Sequence, residues 1–461
     1  MRSKFIHYRR SILSIFFPLF LLLYSTSIFT YKTFAQTEIK TKTPPLRETK
    51  YPVTQTPSQI ALNITKSPST SISISWSTST ETTQSIVEWR ETGNPQTYTT
   101  QAKSTLITDL YLTNNPQIFR WYATLENLTP NTQYEYRVGE QQNNLWSEWF
   151  KFKTAPKSPE NFSFIYLGDA QNGFEEWGKI LKKAVEKCPQ CSFIMLAGDL
   201  VNRGNERDDW DEFFYYADNI FAQYPLVPAI GNHEYKSSGN MLPQMYLDYF
   251  TLPENGPDKV TPEFCYSFNY SNSKFIILNG SLNPLLQVDW LEQQLEKDSS
   301  LWRFLMFHQP IYSSAPKRDN KHLRDAWLPV IDKYHVDIVF QGHDHSYWRT
   351  HPLKNGEVVT NSYEGTVYVI SFSGTKAYDQ QEPTSIIAKA FSKIPTYQII
   401  TIETQPENTL TYRSFDLEGN LKDEFVITKP KLLSWGLNGA YCKTIIDKFS
   451  FSKAKAKVAL K

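Results

Sequence analysis

Five short apolar runs in this chain each lead into a residue that can hold a cation, and no other feature narrows its possible folds as far. Residues 162–167 run into Gly168 and Asp169, and residues 192–196 pass through Ala197 into Gly198 and Asp199. Residues 226–230 run into Gly231, Asn232, His233 and Glu234. Residues 303–307 end at His308, and residues 336–340 lead to Gly342, His343, Asp344 and His345. Bounded runs of this length read as buried strands. In α/β folds, ligands gather where the carboxyl ends of strands meet loops. Any one ending is ordinary. An aspartate after a strand commonly forms a turn, Asn232 alone would hold a left-handed turn, and His308 alone would be a satisfied core histidine. Five in order form a constellation. The last places two imidazoles two residues apart on a loop, where they can serve two different ions, and imidazole suits zinc, iron and related divalent metals. Gly168, Gly198, Gly231 and Gly342 give the backbone room to turn beside such ions.

Around these endings, strands and helices alternate. Residues 174–187 place Trp177, Ile180, Leu181, Ala184 and Val185 at helical spacing. Residues 207–221 and 285–297 repeat the pattern, and 366–372, 398–404 and 410–415 read as closing strands. Such alternation predicts a layered α/β domain. Ahead of it, residues 59–155 read as all-β, with clean alternation around Trp76 and over 85–89 and a turn signal at 92–95, which predicts a small sandwich. Residues 155–159 form the joint. Residues 36–57, rich in Thr, Lys and Pro, read as an extended linker. A chain of 461 residues is long enough for at least two domains.

A net charge of +1 gives no pull toward nucleic acid or an anionic membrane. At the N-terminus, Arg2, Lys4, Arg9 and Arg10 precede an apolar run over 15–24, and Thr33-Phe34-Ala35 offers a small-x-small cleavage site before Gln36. This predicts a cleaved signal peptide over 1–35 and a secreted or extracytoplasmic (periplasmic or envelope) destination. A membrane span wants about 20 mainly apolar residues. Serines, threonines and Pro18 interrupt this one, so membrane attachment would arise only through an uncleaved signal. Cys188-Pro189-Gln190-Cys191 can be a redox motif, half of a zinc site or a local disulfide. No second such pair exists, which speaks against a zinc ribbon, and a local disulfide in an oxidising compartment is the simplest reading. Cys265 and Cys442 are either free or paired with each other. Residues 429–461 hold many lysines against a lone acid, Asp447, and read as a solvated basic tail.

The series Gly168-Asp169, Gly198-Asp199, Gly231-Asn232-His233-Glu234, the strand-end His308, then Gly342-His343-Asp344-His345-Ser346-Tyr347-Trp348-Arg349 resembles the calcineurin-like metallophosphoesterase superfamily. Within it, the chain looks most like the purple acid phosphatase branch. The resemblance covers residues 160–428, and residues 58–156 extend it. Residues 125–139 resemble the late-strand signature of fibronectin type III domains, with Tyr134 and Tyr136 on one face. The resemblance implies a fibronectin type III-like sandwich followed by a two-sheet α/β phosphoesterase domain flanked by helices. It also implies two divalent ions (manganese, zinc or iron) and a phosphoester substrate. By family position, Asp199 would bridge the ions, Asp169 and His345 would hold the first, and Asn232, His308 and His343 the second. His233 would contact the phosphate or protonate the leaving oxygen, which an imidazole of ordinary pKa about 6.5 can do. Arg349, His322 and Arg324 are candidates to reach the phosphate, Arg349 foremost for its place in the motif.

Two positions depart from the purple acid phosphatase pattern. That family carries a tyrosine three residues after the bridging aspartate, where this chain has Asn202. Many superfamily members carry a histidine two residues after the first aspartate, where this chain has Gln171. Gln171 would supply a carbonyl oxygen, and Asn202 a weak ligand or a water-orienting group. Loss of the phenolate argues against a trivalent iron and for divalent ions. The expectation is an exported two-metal phosphatase in which activated water attacks phosphomonoesters. The alternatives are a phosphodiesterase or nucleotidase, or an envelope-binding protein whose site has decayed.

Overall fold

The computed structural model describes residues 45–236 and 242–430. The expected signal peptide, the start of the 36–57 stretch, Cys442 and the tail beyond Pro430 lie outside the described residues.

Strand–helix alternation gives two sheets with parallel cores. In one, Phe162–Leu167, Ile194–Leu196 and Leu226–Pro228 lie side by side and parallel. In the other, Ser273–Ile277, Trp302–Met306, Ile338–Gln341 and Val367–Ile370 do the same. Parallel neighbours need long crossovers, and the helices Phe174–Lys187, Arg207–Tyr216, Leu285–Glu296 and Lys321–Tyr334 provide them. The apolar faces of the sheets meet: the Phe164 ring packs against Phe275, Phe304 and Phe340 at centroid distances of 5.3, 5.6 and 5.9 Å. The second helix stops short of the expected residue 221. Asp218 and Asn219 take left-handed backbone angles (φ 47° and 57°) and turn the chain into a short 3-10 segment, Ile220–Ala222. The helix Lys321–Tyr334 holds Pro329 in its interior, which hides it from pattern reading.

The N-terminal β domain has Trp76 wholly buried in its core, its Nε1–H donating to Ser85 Oγ at 3.0 Å. One face is a five-stranded sheet built on Ile86–Glu91 and Gln133–Glu140. The other face is shared. Ser58–Asn63 pairs in parallel with Leu226–Pro228, Asn63 opposite Leu226, so the two domains contribute to one sheet of ten strands. Arg120 cements the join. Fully buried and, among the described residues, without a carboxylate within ion-pairing distance, it donates to the carbonyls of Tyr249 (2.9 Å) and Gln59 (2.7 Å) and to the hydroxyls of Ser75 and Ser77. Tyr136 Oη donates to the Ala222 carbonyl at 2.7 Å.

Two stretches differ from the sequence expectation. Residues 45–57 are pinned to the folded body at several residues and do not run free as a linker. Arg47 inserts between Asp109 (2.5 Å) and Asp208 (2.8 Å), Val53 is buried, and the Tyr51 ring stacks on Tyr215 at 3.7 Å. At the other end, Lys429 does not open a solvated tail. It closes the strand Leu421–Lys429 and its ammonium meets the buried Asp337 at 2.7 Å. In both cases composition describes what the segment lacks, while its partners lie far away in the chain. Cys188 and Cys191 form a disulfide, and Cys265 is a free buried thiol. No helix among the described residues is long and apolar enough to cross a membrane.

Candidate metal centre

The carboxyl ends of the parallel strands deliver their ligand-type residues to one place. Asp169 follows Phe162–Leu167, Asp199 follows Ile194–Leu196, His308 follows Trp302–Met306, and His343 and His345 follow Ile338–Gln341. Asp199, His308 and His343 form one group whose ligand atoms lie within 4.8 Å of one another; Asp169, Asp199 and His345 form a second. Asp199 belongs to both.

Tight backbone geometry makes this possible. Gly198 and Asp199 both adopt left-handed angles (φ 85° and 51°), which swings the Asp199 carboxylate back across its strand end. A side chain at Gly231 would collide with Asp199 Oδ1. Asp199 Oδ1 accepts the His233 backbone N–H at 2.7 Å, and Oδ2 lies 3.0 Å from His308 Nε2. Each ligand imidazole whose tautomer can be read is fixed from behind. His308 Nδ1–H donates to the Ala197 carbonyl and His345 Nδ1–H to the Lys376 carbonyl, both at 2.8 Å, leaving each Nε2 facing the carboxylates. Such backing is the usual support of a metal-binding imidazole.

Within this cluster, two buried oxygens on ligand-type residues, Asp169 Oδ1 and Asn232 Oδ1, have no hydrogen-bond partner. Buried polar atoms are ordinarily satisfied, so these point to cations. The donor set of carboxylates, imidazoles and a neutral amide suits borderline divalent ions, and the residues present fit two of them. Charge tells the same story. Burial alone would lower the His308 pKa, but Asp199 and Asp169 outweigh it and push it up to about 10. Burial, with Asp199 beside it, holds Asp169 above the usual carboxylate range. Burial and the His308 charge hold His343 far below its ordinary value. In the ion-free cluster, protons therefore stand where cations would.

Other expected residues are placed as follows. Gln171 is wholly buried, but its amide nitrogen and not the expected carbonyl oxygen faces the cluster, Nε2–H donating to Asp199 Oδ2 (2.8 Å) and His345 Nε2 (3.1 Å), because those two groups need a donor. His233 lies with Nε2 3.9 Å from Asp199 Oδ2, and its Nδ1–H donates to the Asn202 carbonyl at 2.8 Å. Asn202 thus meets the site through its backbone. Arg349 is turned away: its guanidinium grips Asp423 on the last strand at 2.5 and 3.0 Å. His322 is exposed near the start of Lys321–Tyr334 and belongs to neither ligand group, and Arg324 pairs with Asp319 at 2.7 Å. A long, mobile cation next to a motif reads as functional in sequence, and the counter-charge that claims it is invisible there.

Two residues escaped the sequence reading. Glu234, fully buried, accepts the backbone N–H groups of Asp199 (2.9 Å), Leu200 (2.7 Å) and Gly231 (2.6 Å), locking two ligand loops together. Asp344, between the paired histidines, accepts from Ser313 Oγ (2.6 Å) and the Ser314 N–H (2.7 Å) and ion-pairs with Arg318. Their only signal was membership of the two motifs.

Residues 57–154 match the family described as purple acid phosphatase, N-terminal domain, and residues 162–347 match calcineurin-like phosphoesterase. An uncharacterized protein of Mycobacterium tuberculosis is 26% identical over 322 residues, 59% of this chain and 60% of that protein. Purple acid phosphatase 1 of Ipomoea batatas is 25% identical over 304 residues, 61% of this chain and 62% of that protein. The chain thus spans about three-fifths of the length of these relatives. The solved purple acid phosphatase from yellow lupin (Lupinus luteus) seeds shares the fold, with a TM-score of 0.70 and 20% identity over 82% of this chain and 75% of that one. Residues 57–154 therefore form a purple acid phosphatase N-terminal domain and residues 162–347 belong to a calcineurin-like phosphoesterase domain.

Proposed function

We propose that this protein is an exported, metal-dependent phosphatase that hydrolyses phosphomonoesters at a two-ion centre. The observation that carries the reading is the joining of two ligand groups through one shared carboxylate, Asp199. When bound, two divalent ions clamp the phosphoryl group and supply activated water. The chain does the rest. Asp169 and His345 would hold the first ion, with Gln171 turning its amide to offer its oxygen once an ion displaces its bonds to Asp199 and His345, and Asn232, His308 and His343 would hold the second, with Asp199 between. The neutral Asn232 keeps the site from becoming too negative for an anionic substrate. Glu234 and Asp344 hold the ligand loops in place.

His233 is the proposed proton donor to the leaving oxygen. Its bond to the Asn202 carbonyl commits Nδ1 as a donor and turns Nε2 toward the cluster. Burial lowers its pKa to about 4 despite the Asp199 charge, so the donating form belongs to acid conditions.

The purified chain should hydrolyse an aryl phosphate, lose that activity to a chelator and regain it with divalent ions. Full activity after verified metal removal would sink the proposal. The export part rests on the basic, apolar and small-residue pattern of 1–35. Mass spectrometry of the exported protein should find Gln36 first; an intact Met1 terminus in a membrane fraction would mean an anchor.

A further inference from the structure

We propose that the cavity between the 51–59 segment and the first two helices of the phosphoesterase domain binds a neutral, β-linked saccharide. The inference does not rest on the phosphatase reading, since none of the ligand-type residues of the metal centre lines this cavity. Its volume is about 700 Å³, within the roughly 300–1,000 Å³ of small-ligand sites, which gather at domain interfaces. Tyr51, Ser58 and Gln59 form one wall, and the helices Phe174–Lys187 and Arg207–Tyr216, with the turn after the second, form the rest. Departures from local backbone rules converge on it. Gln59 takes a left-handed angle (φ 53°) at a break in the register between Ser58–Asn63 and Ile72–Ser79, and residues of its type rarely do so. Asp218 and Asn219 take left-handed angles in succession (φ 47° and 57°). Gly178 sits inside a helix, where glycine is unfavourable relative to alanine. A Cβ there would lie 2.5 Å from the Tyr216 carbonyl oxygen, so the glycine lets the helix close on the aromatic wall. Such departures are retained where a site needs a shape that regular elements do not give.

The lining selects the chemistry. The Tyr51 ring stacks on Tyr215 at 3.7 Å, and Tyr216 stands perpendicular to both. Tyr215 remains 57% exposed, so an aromatic surface is left open to a ligand. Among the described residues, the side chains of Ser58, Asp218 and Asn219 make no hydrogen bond, which leaves donors and acceptors unspent in the lining. Its charges cancel. Glu175 pairs with Lys179 at 3.1 Å and Asp211 with Arg207 at 3.0 Å. That leaves Lys182 and Asp218 among the charged lining residues, one of each sign. Neither an anion nor a cation gains overall from such a lining, and a hydrocarbon would strand its polar groups. A β-linked sugar chain meets both halves of the surface. Its hydroxyls lie at the ring edges, where they donate and accept, and its ring faces present C–H groups to an aromatic ring. In a protein sent out of the cell, such a site would hold the phosphoesterase domain beside a polysaccharide.

The test is equilibrium binding of cellotriose to the full chain, read by calorimetry. Sorbitol serves as a second probe, offering hydroxyls without a ring face. Cellotriose should bind with a millimolar or tighter dissociation constant, and sorbitol should not bind detectably. Tyr215→Ala should weaken cellotriose at least about tenfold by removing the stacking surface, and Tyr215→Phe should stay within about twofold of the unaltered protein. Asn219→Gly, which the left-handed backbone accepts, should weaken it about fivefold by removing the amide. No cellotriose binding at about 10 mM would overturn the inference. So would binding that Tyr215→Ala leaves intact, or sorbitol bound as tightly as cellotriose. If Tyr215→Ala fails to fold, Asn219→Gly decides, and unchanged affinity in that variant overturns the inference.

Discussion

The two candidate ion positions share Asp199 and are otherwise built from different material. The second has His308 and His343, with the unpartnered Asn232 Oδ1 close at hand on the next loop. His308 is anchored to Ala197, a residue at a strand end. The first position has Asp169 and His345, and its extra group, Gln171, is already bonded to Asp199 and His345. His345 is anchored to Lys376, which lies on a loop. One shared bridge therefore does not make two equal sites. The second position has two imidazoles, one of them backed by a strand-end carbonyl, and the first relies on Asp169 and one imidazole, with a neutral amide beside them. We expect the first ion to be the more weakly held of the two.

The largest expected effect separates chemistry from ligation. His233→Ala should keep both ions and slow hydrolysis roughly 10²–10⁴-fold, the usual contribution of a general acid, with poor leaving groups suffering most. Equal loss for good and poor leaving groups would make His233 a positioning group. Loss of an ion would place it among the ligands and break the comparison.

A smaller effect probes the asymmetry itself. Gln171→Ala should weaken the first ion about 10–100-fold, the usual range for groups that orient or assist a metal ligand, and leave the second unchanged. A two-step metal titration reads both affinities, and unchanged affinity at both positions refutes the assignment.

The smallest effect is a slope. With its pKa raised to about 10, His308 keeps its proton near neutral pH, and an ion entering the second position must displace it. Affinity there should rise about tenfold per pH unit from neutral pH toward that pKa. The Asp169 proton, held by burial and by Asp199, is lost at lower pH, so above neutral the first position should respond less. Parallel slopes at both positions would contradict the division of ligands.

Much of this candidate centre was legible because each ligand-type residue announces itself locally. An apolar run, a glycine and a ligand-type residue are all visible within a few positions, so Asp169, Asp199, Asn232, His308, His343 and His345 could be picked without knowing how the strands pair. What failed had its explanation elsewhere in the chain. Arg349 is claimed by Asp423, 74 residues on; Arg47 by Asp208, 161 residues on; Lys429 by Asp337, 92 residues back. Glu234 was in view, but its role is to gather N–H groups that converge only once two loops have folded. The shared sheet was equally hidden, because an edge strand such as Ser58–Asn63 carries no mark of the neighbour it will choose.

That shared edge has a consequence for how the protein is made. Ser58–Asn63 leaves the ribosome long before Leu226–Pro228, its parallel neighbour, and Asn63 meets Leu226 roughly 160 residues later. At about 5–20 residues per second, the early edge waits on the order of ten seconds with its backbone groups unpaired. An unpaired edge is an invitation to association with other chains. The late strand gains in return, since Leu226–Pro228 emerges to find a partner already folded. The loop after it, with Asn232 and His233, is laid down against a finished template. A catalytic half synthesised alone would have to shape that loop beside a bare edge.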